Sequence, residues 1–143
     1  KQYYENGQLR CSENHKDGEK DGLCEYYREN GQLRFSRNYK KGKFHLIDSD
    51  IPYSGIQNIY YENGQLYILQ NFKDGILHGL SEGYNENGKL EESRNYKDGE
   101  LDGLYEEYNN NGQLEFSGIY KEGKFVTEHP IDGETVSEEE TEQ

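Results

Sequence analysis

The most regular chemistry-bearing residue in this chain is lysine. Lys16, Lys40, Lys73, Lys97 and Lys121 each stand two residues before a glycine, and in a repeating structure they would line five ammonium groups along one edge. Asp17, Asp74, Asp98 and Glu122 follow four of them and cancel much of that field, so turn chemistry explains the column better than anion binding. Ser12, Ser36, Ser93 and Ser117 recur in four of the five repeats, but no recurrent base accompanies them to activate a hydroxyl. His15, His45, His78 and His129 lie in four unlike contexts, which suits structural or surface roles. Asp48-Ser49-Asp50 begins like a calcium loop, without the glycine and distant glutamate of that motif. Cys11 and Cys24 are too few for a disulfide scaffold or a zinc site by themselves. No glycine-rich phosphate loop is present, so no cofactor, metal or enzymatic activity is expected.

The remaining regularity is aromatic, and it exposes the element that positions everything else. An Asn-Gly pair ends at Gly7, Gly31, Gly64, Gly88 and Gly112, at spacings of 24, 33, 24 and 24 residues. Four residues earlier stands Tyr3, Tyr27, Tyr60, Tyr84 or Tyr108, and two residues later Leu9, Leu33, Leu66, Leu90 or Leu114. Eight residues later comes His15, Tyr39, Phe72, Tyr96 or Tyr120, then the lysine column and a second glycine at Gly18, Gly42, Gly75, Gly99 or Gly123. Residues 1–125 thus hold five repeats of about 24 residues, a fixed period of the kind that marks repeat architectures. The longer spacing places an insertion at residues 44–52, expected to protrude as a loop or short extra hairpin. Gly123-Lys124-Phe125, with Pro130 and Gly133 beyond, echoes Gly42-Lys43-Phe44, Pro52 and Gly55, and is expected to close the sheet in the same way.

Within each repeat the apolar positions alternate, which is the period of a strand. Glu-Asn-Gly suits a three-residue hairpin loop, a type I turn closed by a left-handed glycine with a bulge. If Lys-Asp-Gly forms a second turn of the same kind, paired residues keep the same parity, and the Tyr, Leu and aromatic columns share one face. Cys11 and Cys24, of opposite parity, then point to opposite faces and remain free thiols. The expected fold is all-β, an elongated single-layer antiparallel sheet of tandem β-hairpins. Composition agrees with this. Helix-favouring Ala is absent, Gly numbers 17 and Tyr 14, and the aromatic content of 13% offsets an apolar fraction of only 30% that otherwise resembles a disordered chain.

Tyr60-Tyr61-Glu62-Asn63-Gly64-Gln65-Leu66, followed by Asn95-Tyr96-Lys97-Asp98-Gly99-Glu100-Leu101-Asp102-Gly103, resembles the MORN repeat in its bacterial variant form. The resemblance covers roughly residues 3–125. It implies successive antiparallel hairpins, and it brings two roles: many bacterial members are described as YwqK-type antitoxins, and other MORN proteins serve as scaffolds, some with lipid binding proposed.

The net charge of −13 disfavours nucleic acid and anionic lipid, and no run is long enough for a membrane span. Residues 126–143 form an acidic tail, in which seven acids from Glu128 to Glu142 meet no Lys or Arg. The expectation is a noncatalytic protein-binding module, antitoxin- or immunity-like, for a basic toxin or effector. Tyr27, Tyr60, Tyr84 and Tyr108 with Phe35 and Phe116 would be its contacts, because a one-layer sheet cannot cover both its faces. The alternative is a structural or envelope-associated scaffold that self-associates through its sheet edge. Lys1 opens the chain inside a patterned segment, so a trimmed or processed form is expected, cytoplasmic unless a signal peptide has been removed.

Overall fold

The computed structural model describes residues 1–46 and 48–128. Among them there is no helix. The strands are β1 (Gln2–Tyr3), β2 (Leu9–Ser12), β3 (His15–Lys16), β4 (Glu19–Lys20), β5 (Gly22–Tyr27), β6 (Leu33–Lys40) and β7 (Lys43–His45). They continue with β8 (Gly55–Tyr60), β9 (Leu66–Lys73), β10 (Ile76–Tyr84), β11 (Leu90–Lys97), β12 (Glu100–Leu101), β13 (Gly103–Tyr108), β14 (Leu114–Lys121) and β15 (Lys124–Glu128). One sheet runs β1-β2-β5-β6-β7, a second runs β15-β14-β13-β11-β10-β9-β8 with β12 beside β11, and β3 and β4 form a ribbon. The chain divides into two compact units, Lys1–Gly55 with Phe72–Ile76, and Ile56–Asn71 with the chain from Leu77 onward.

Two turn types generate the array. The Glu-Asn-Gly turn is as expected: Tyr4 N–H donates to the Gln8 carbonyl (2.9 Å), Gly7 N–H donates to the Tyr4 carbonyl (3.0 Å), and Gly7 has φ of 86°. Its asparagine closes the loop, since Asn6 Oδ1 accepts from Gln8 N–H at 3.0 Å and Asn63 Oδ1 from Gln65 N–H at 2.9 Å. The lysine turn differs from expectation. Lys97 pairs with Glu100 and Lys121 with Lys124, leaving only two residues in the loop. Both loop residues are left-handed, φ 50° at Asp98 and 86° at Gly99, which makes a type I′ hairpin whose twist matches its strands. A two-residue loop joins residues three apart, so partners across it have opposite parity.

That change, with the bulge beside the other loop, resets which side chains share a face. In the second repeat Tyr26 opposes Phe35 and Cys24 opposes Arg37, while Tyr27 opposes Leu33 across a register shift. The fifth repeat repeats the pattern, with Glu107 opposite Phe116 and Tyr108 opposite Leu114. The tyrosine column therefore lies on one face and the aromatics four residues after the Asn-Gly glycine on the other, not on a common face. Cys11 opposes Tyr26, two residues from Cys24, so the two cysteines share a face as diagonal neighbours, again contrary to the parity argument. Both thiols are free and buried.

The inserted stretch begins by continuing the ladder. Lys40 pairs with Lys43, Tyr39 with Phe44 and Asn38 with His45, and His45 then bridges to Pro52. Phe44 is 4% exposed because it packs on Tyr39, Tyr53 and Phe72 at centroid distances of 6.1, 5.3 and 5.0 Å. Lys124–Glu128 likewise continues the ladder beside β14. The echo between the two segments is thus a regular strand start in both, not a closing device. Pro130, Gly133 and the tail beyond Glu128 lie outside the described residues.

Candidate functional site: two unlike sheet faces

In the first unit one face is an aromatic core. Tyr26 and Phe35 stack with centroids 4.5 Å apart, and the Tyr26 hydroxyl donates to Glu13 at 2.7 Å. Burial, then that hydrogen bond, raises the Tyr26 pKa well above its ordinary value. Lys20 bridges the same groups, 3.2 Å from Glu13 and 5.0 Å from the Tyr39 centroid. Arg37, 8% exposed, lies 5.0 to 5.2 Å from the ring centroids of Phe35, Phe44 and Phe72. Its Nη2 is buried with no hydrogen-bond partner among the described residues. Sequence reading missed this arginine because it carries no repeat signature: the same place holds Glu13, Gln70, Arg94 and Gly118 in the other repeats.

The second unit has an aromatic face of its own. Tyr105 packs on Phe116 and Tyr120 at 5.9 and 5.4 Å, and Phe125 on Phe116 and Tyr120 at 6.2 and 5.5 Å. Gly118 makes the space, since a Cβ there would meet Phe125 Cε1 at 2.8 Å and Phe116 Cζ at 3.0 Å. The Tyr105 hydroxyl donates to Glu107 (2.6 Å), and burial together with that carboxylate pushes its pKa up to about 12. Arg94 pairs with Glu92 at 2.8 Å and lies over the Tyr105 ring.

The opposite face of the second unit is built from rows. Glu82 opposes Ser93, Ser93 opposes Glu106, and Glu106 opposes Ser117, so four strands contribute one straight line of alternating glutamate and serine. The recurrent serines are thereby explained: a small side chain between two glutamates lets Glu82 and Glu106 stand beside the tyrosine two residues on, and covers Ser93 and Ser117 to 9% and 2% exposure. Glu82 and Glu106 stand two residues before Tyr84 and Tyr108 on the same strands, as Glu25 stands before Tyr27 in the first unit. Burial first, then these carboxylates, raises the pKa of Tyr84 and Tyr108, so both rings stay neutral at physiological pH. Leu80 is 37% exposed on this face, and Tyr60 on β8 is 52% exposed.

The six sequence-expected contact residues are thus divided. In the first unit Tyr27 and Phe35 lie on opposite faces. In the second, Tyr84 and Tyr108 stand on the glutamate face, and Phe116 belongs to the aromatic cluster of the other. Sequence reading also missed the polar staples between repeats. Asn71 Nδ2 donates to the Leu80 carbonyl (2.7 Å), Asn95 Nδ2 to the Leu104 carbonyl (3.0 Å) and Asn14 Nδ2 to the Leu23 carbonyl. The signal was visible, because Asn14, Asn38, Asn71 and Asn95 recur just before the aromatic column, with Ile119 in the last repeat.

The other chemistry-bearing residues serve locally. His45 is 5% exposed with Nδ1 2.9 Å from the Lys43 carbonyl, and His78 Nδ1 accepts the Asp98 N–H at 3.3 Å. His15 is exposed, 3.9 Å from Glu13, and His129 lies outside the described residues. Lys40 pairs with Asp50 of the Asp48-Ser49-Asp50 stretch at 3.2 Å. All five lysines of the column are exposed. Among the described residues there is no group of three or more His, Cys, Asp or Glu that could hold a metal, and no helix long and apolar enough to cross a membrane.

No curated protein matches the chain at a significant level. A family model described as the MORN repeat variant matches residues 1–17, 20–41, 53–74, 77–98 and 101–122, each match containing one Asn-Gly hairpin. Those five matches span most of the sequence, and the chain belongs to the MORN repeat variant family.

Proposed function

We propose that this chain is a noncatalytic protein-binding module whose contact surface is the glutamate face of the hairpin array. The observation that carries this reading is the division of labour between faces. One face spends its aromatics on each other, while the other presents tyrosines, leucines and carboxylates in a regular row, with Tyr60 and Leu80 exposed. Tyrosine suits such a surface, since it offers a large amphipathic contact area with few rotors to immobilise. The net charge of −13 favours a basic partner, and an antitoxin- or immunity-like hold on a basic effector is the specific form of this reading. Tyr60, Tyr84 and Tyr108 are its proposed contacts in the second unit and Tyr27 the proposed contact in the first; Phe35 and Phe116 belong to the opposite faces of their own units.

The test is affinity capture from source cells with the wild-type chain and with a Tyr84→Ala/Tyr108→Ala variant of unchanged fold. The reading expects basic proteins retained by the wild type and lost with the variant. Identical capture by both would contradict it. A scaffold role is the second reading, favoured by β15, the terminal strand of its sheet order among the described residues, where Phe125 and Val126 are 50% and 49% exposed. Concentration-dependent mass in sedimentation, abolished by Val126→Lys, would favour it.

A further inference from the structure

The spacing of the glutamate face prescribes the shape of what it binds, an inference that rests on the protein-binding reading above. Glu82 with Tyr84 on β10 and Glu106 with Tyr108 on β13 are separated by the single strand β11. Glu82 and Glu106 both oppose Ser93, so the two pairs are level across the sheet with no stagger. Two strand steps separate them, about 9.6 Å. Each pair sets a tyrosine ring beside a carboxylate two residues away on the same face, a combination suited to a guanidinium or ammonium group. Lys97 and Lys121 with its partner Lys124, lysines of this face, stand at the far strand ends, Lys97 and Lys121 four residues from Ser93 and Ser117, or about 13 Å.

A chain lying across the strands must therefore bring a cation to this face about every 9.6 Å. A polyproline II helix has three residues per turn and advances about 9.3 Å per turn, with every third side chain on the same side. We infer that the Glu82–Tyr84 and Glu106–Tyr108 pairs form consecutive subsites for arginine or lysine side chains at every third position of an extended, proline-rich basic segment of a partner protein. Charge complementarity selects this occupant over the chain's own acidic tail, since residues 128–143 carry seven acids and no Lys or Arg.

The experiment titrates the full chain at physiological salt with two synthetic peptides of identical composition. The spaced peptide is four tandem copies of Pro-Pro-Arg, and the block peptide carries all of its prolines first and all of its arginines last. The inference expects the spaced peptide to bind at least fivefold tighter. It also expects Glu82→Gln/Glu106→Gln to weaken the spaced peptide tenfold or more, while Glu107→Gln/Glu92→Gln, which removes the same charge from the opposite face, weakens it by less than threefold. Circular dichroism melts of both variants establish that the fold is intact. Equal binding of the two peptides, or equal losses from the two faces, overturns the inference. Should that occur while captured basic proteins still depend on Tyr84 and Tyr108, the spacing rule falls and the protein-binding reading stands.

Discussion

Tyr26 stacks on Phe35 across the second hairpin, centroids 4.5 Å apart and planes 18° from parallel, while its chain neighbour Tyr27 turns to the other face with Glu25. Adjacent tyrosines thus do different work. The stacked pair should couple in a double-mutant cycle of Tyr26→Ala and Phe35→Ala by about 1 kcal/mol. Tyr27→Ala should show no coupling to Phe35 in equilibrium denaturation.

Much of this architecture is legible in the sequence. The Asn-Gly period locates every hairpin, and Gly7 and its counterparts specify the bulged loop correctly. What the sequence hides is a one-residue question at Lys-Asp-Gly. Asp74 and Asp98 adopt φ of 51° and 50°, a conformation aspartate tolerates but does not announce, and that shortens the loop to two residues. Since side chains alternate along a strand, the bulge beside the Asn-Gly loop moves Tyr108 away from Phe116, and the parity change at the lysine turn brings Cys11 and Cys24 together. The serine column reads as idle surface along the chain, because its partners Glu82 and Glu106 meet it only across the ladder.

Cys11 and Cys24 are 5% and 0% exposed and unbridged. In the native, unreduced protein both should react with a thiol reagent far more slowly than a free small thiol. After unfolding in denaturant two groups should be counted. A count of zero would mean that the diagonal pair has closed into a disulfide.

The inter-repeat staples set how repeats adhere. Asn95→Ala removes the donor to the Leu104 carbonyl and leaves that acceptor between two strands, so it should cost about 1 kcal/mol in urea unfolding. Asn71→Ala should cost a similar amount through the Leu80 carbonyl. Asn111, in an exposed loop, should tolerate Ala within about 0.5 kcal/mol.

Alkaline titration should separate tyrosines by face contact. The Tyr26 pKa is raised in the folded state by burial and by Glu13, so the unfolded chain loses this proton near pH 10 while the folded chain keeps it. Its contribution to stability is complete below pH 10 and declines above it. Tyrosinate absorbance should therefore show Tyr26 ionising only with unfolding, a late step that Tyr26→Phe removes.

The claim that one face is core and the other contact surface is tested most directly by unfolding two paired variants and titrating each with the spaced Pro-Pro-Arg peptide side by side. Tyr84→Ala/Tyr108→Ala empties the glutamate face, and Tyr105→Ala/Phe116→Ala empties the aromatic one. The account predicts that the first pair loses peptide binding tenfold or more with under about 1.5 kcal/mol of stability, whereas the second loses about 3 kcal/mol or more. In its folded fraction the second pair should bind the peptide normally. A large loss of stability in the first pair, with affinity unchanged, would contradict the account and make the tyrosine column a second core.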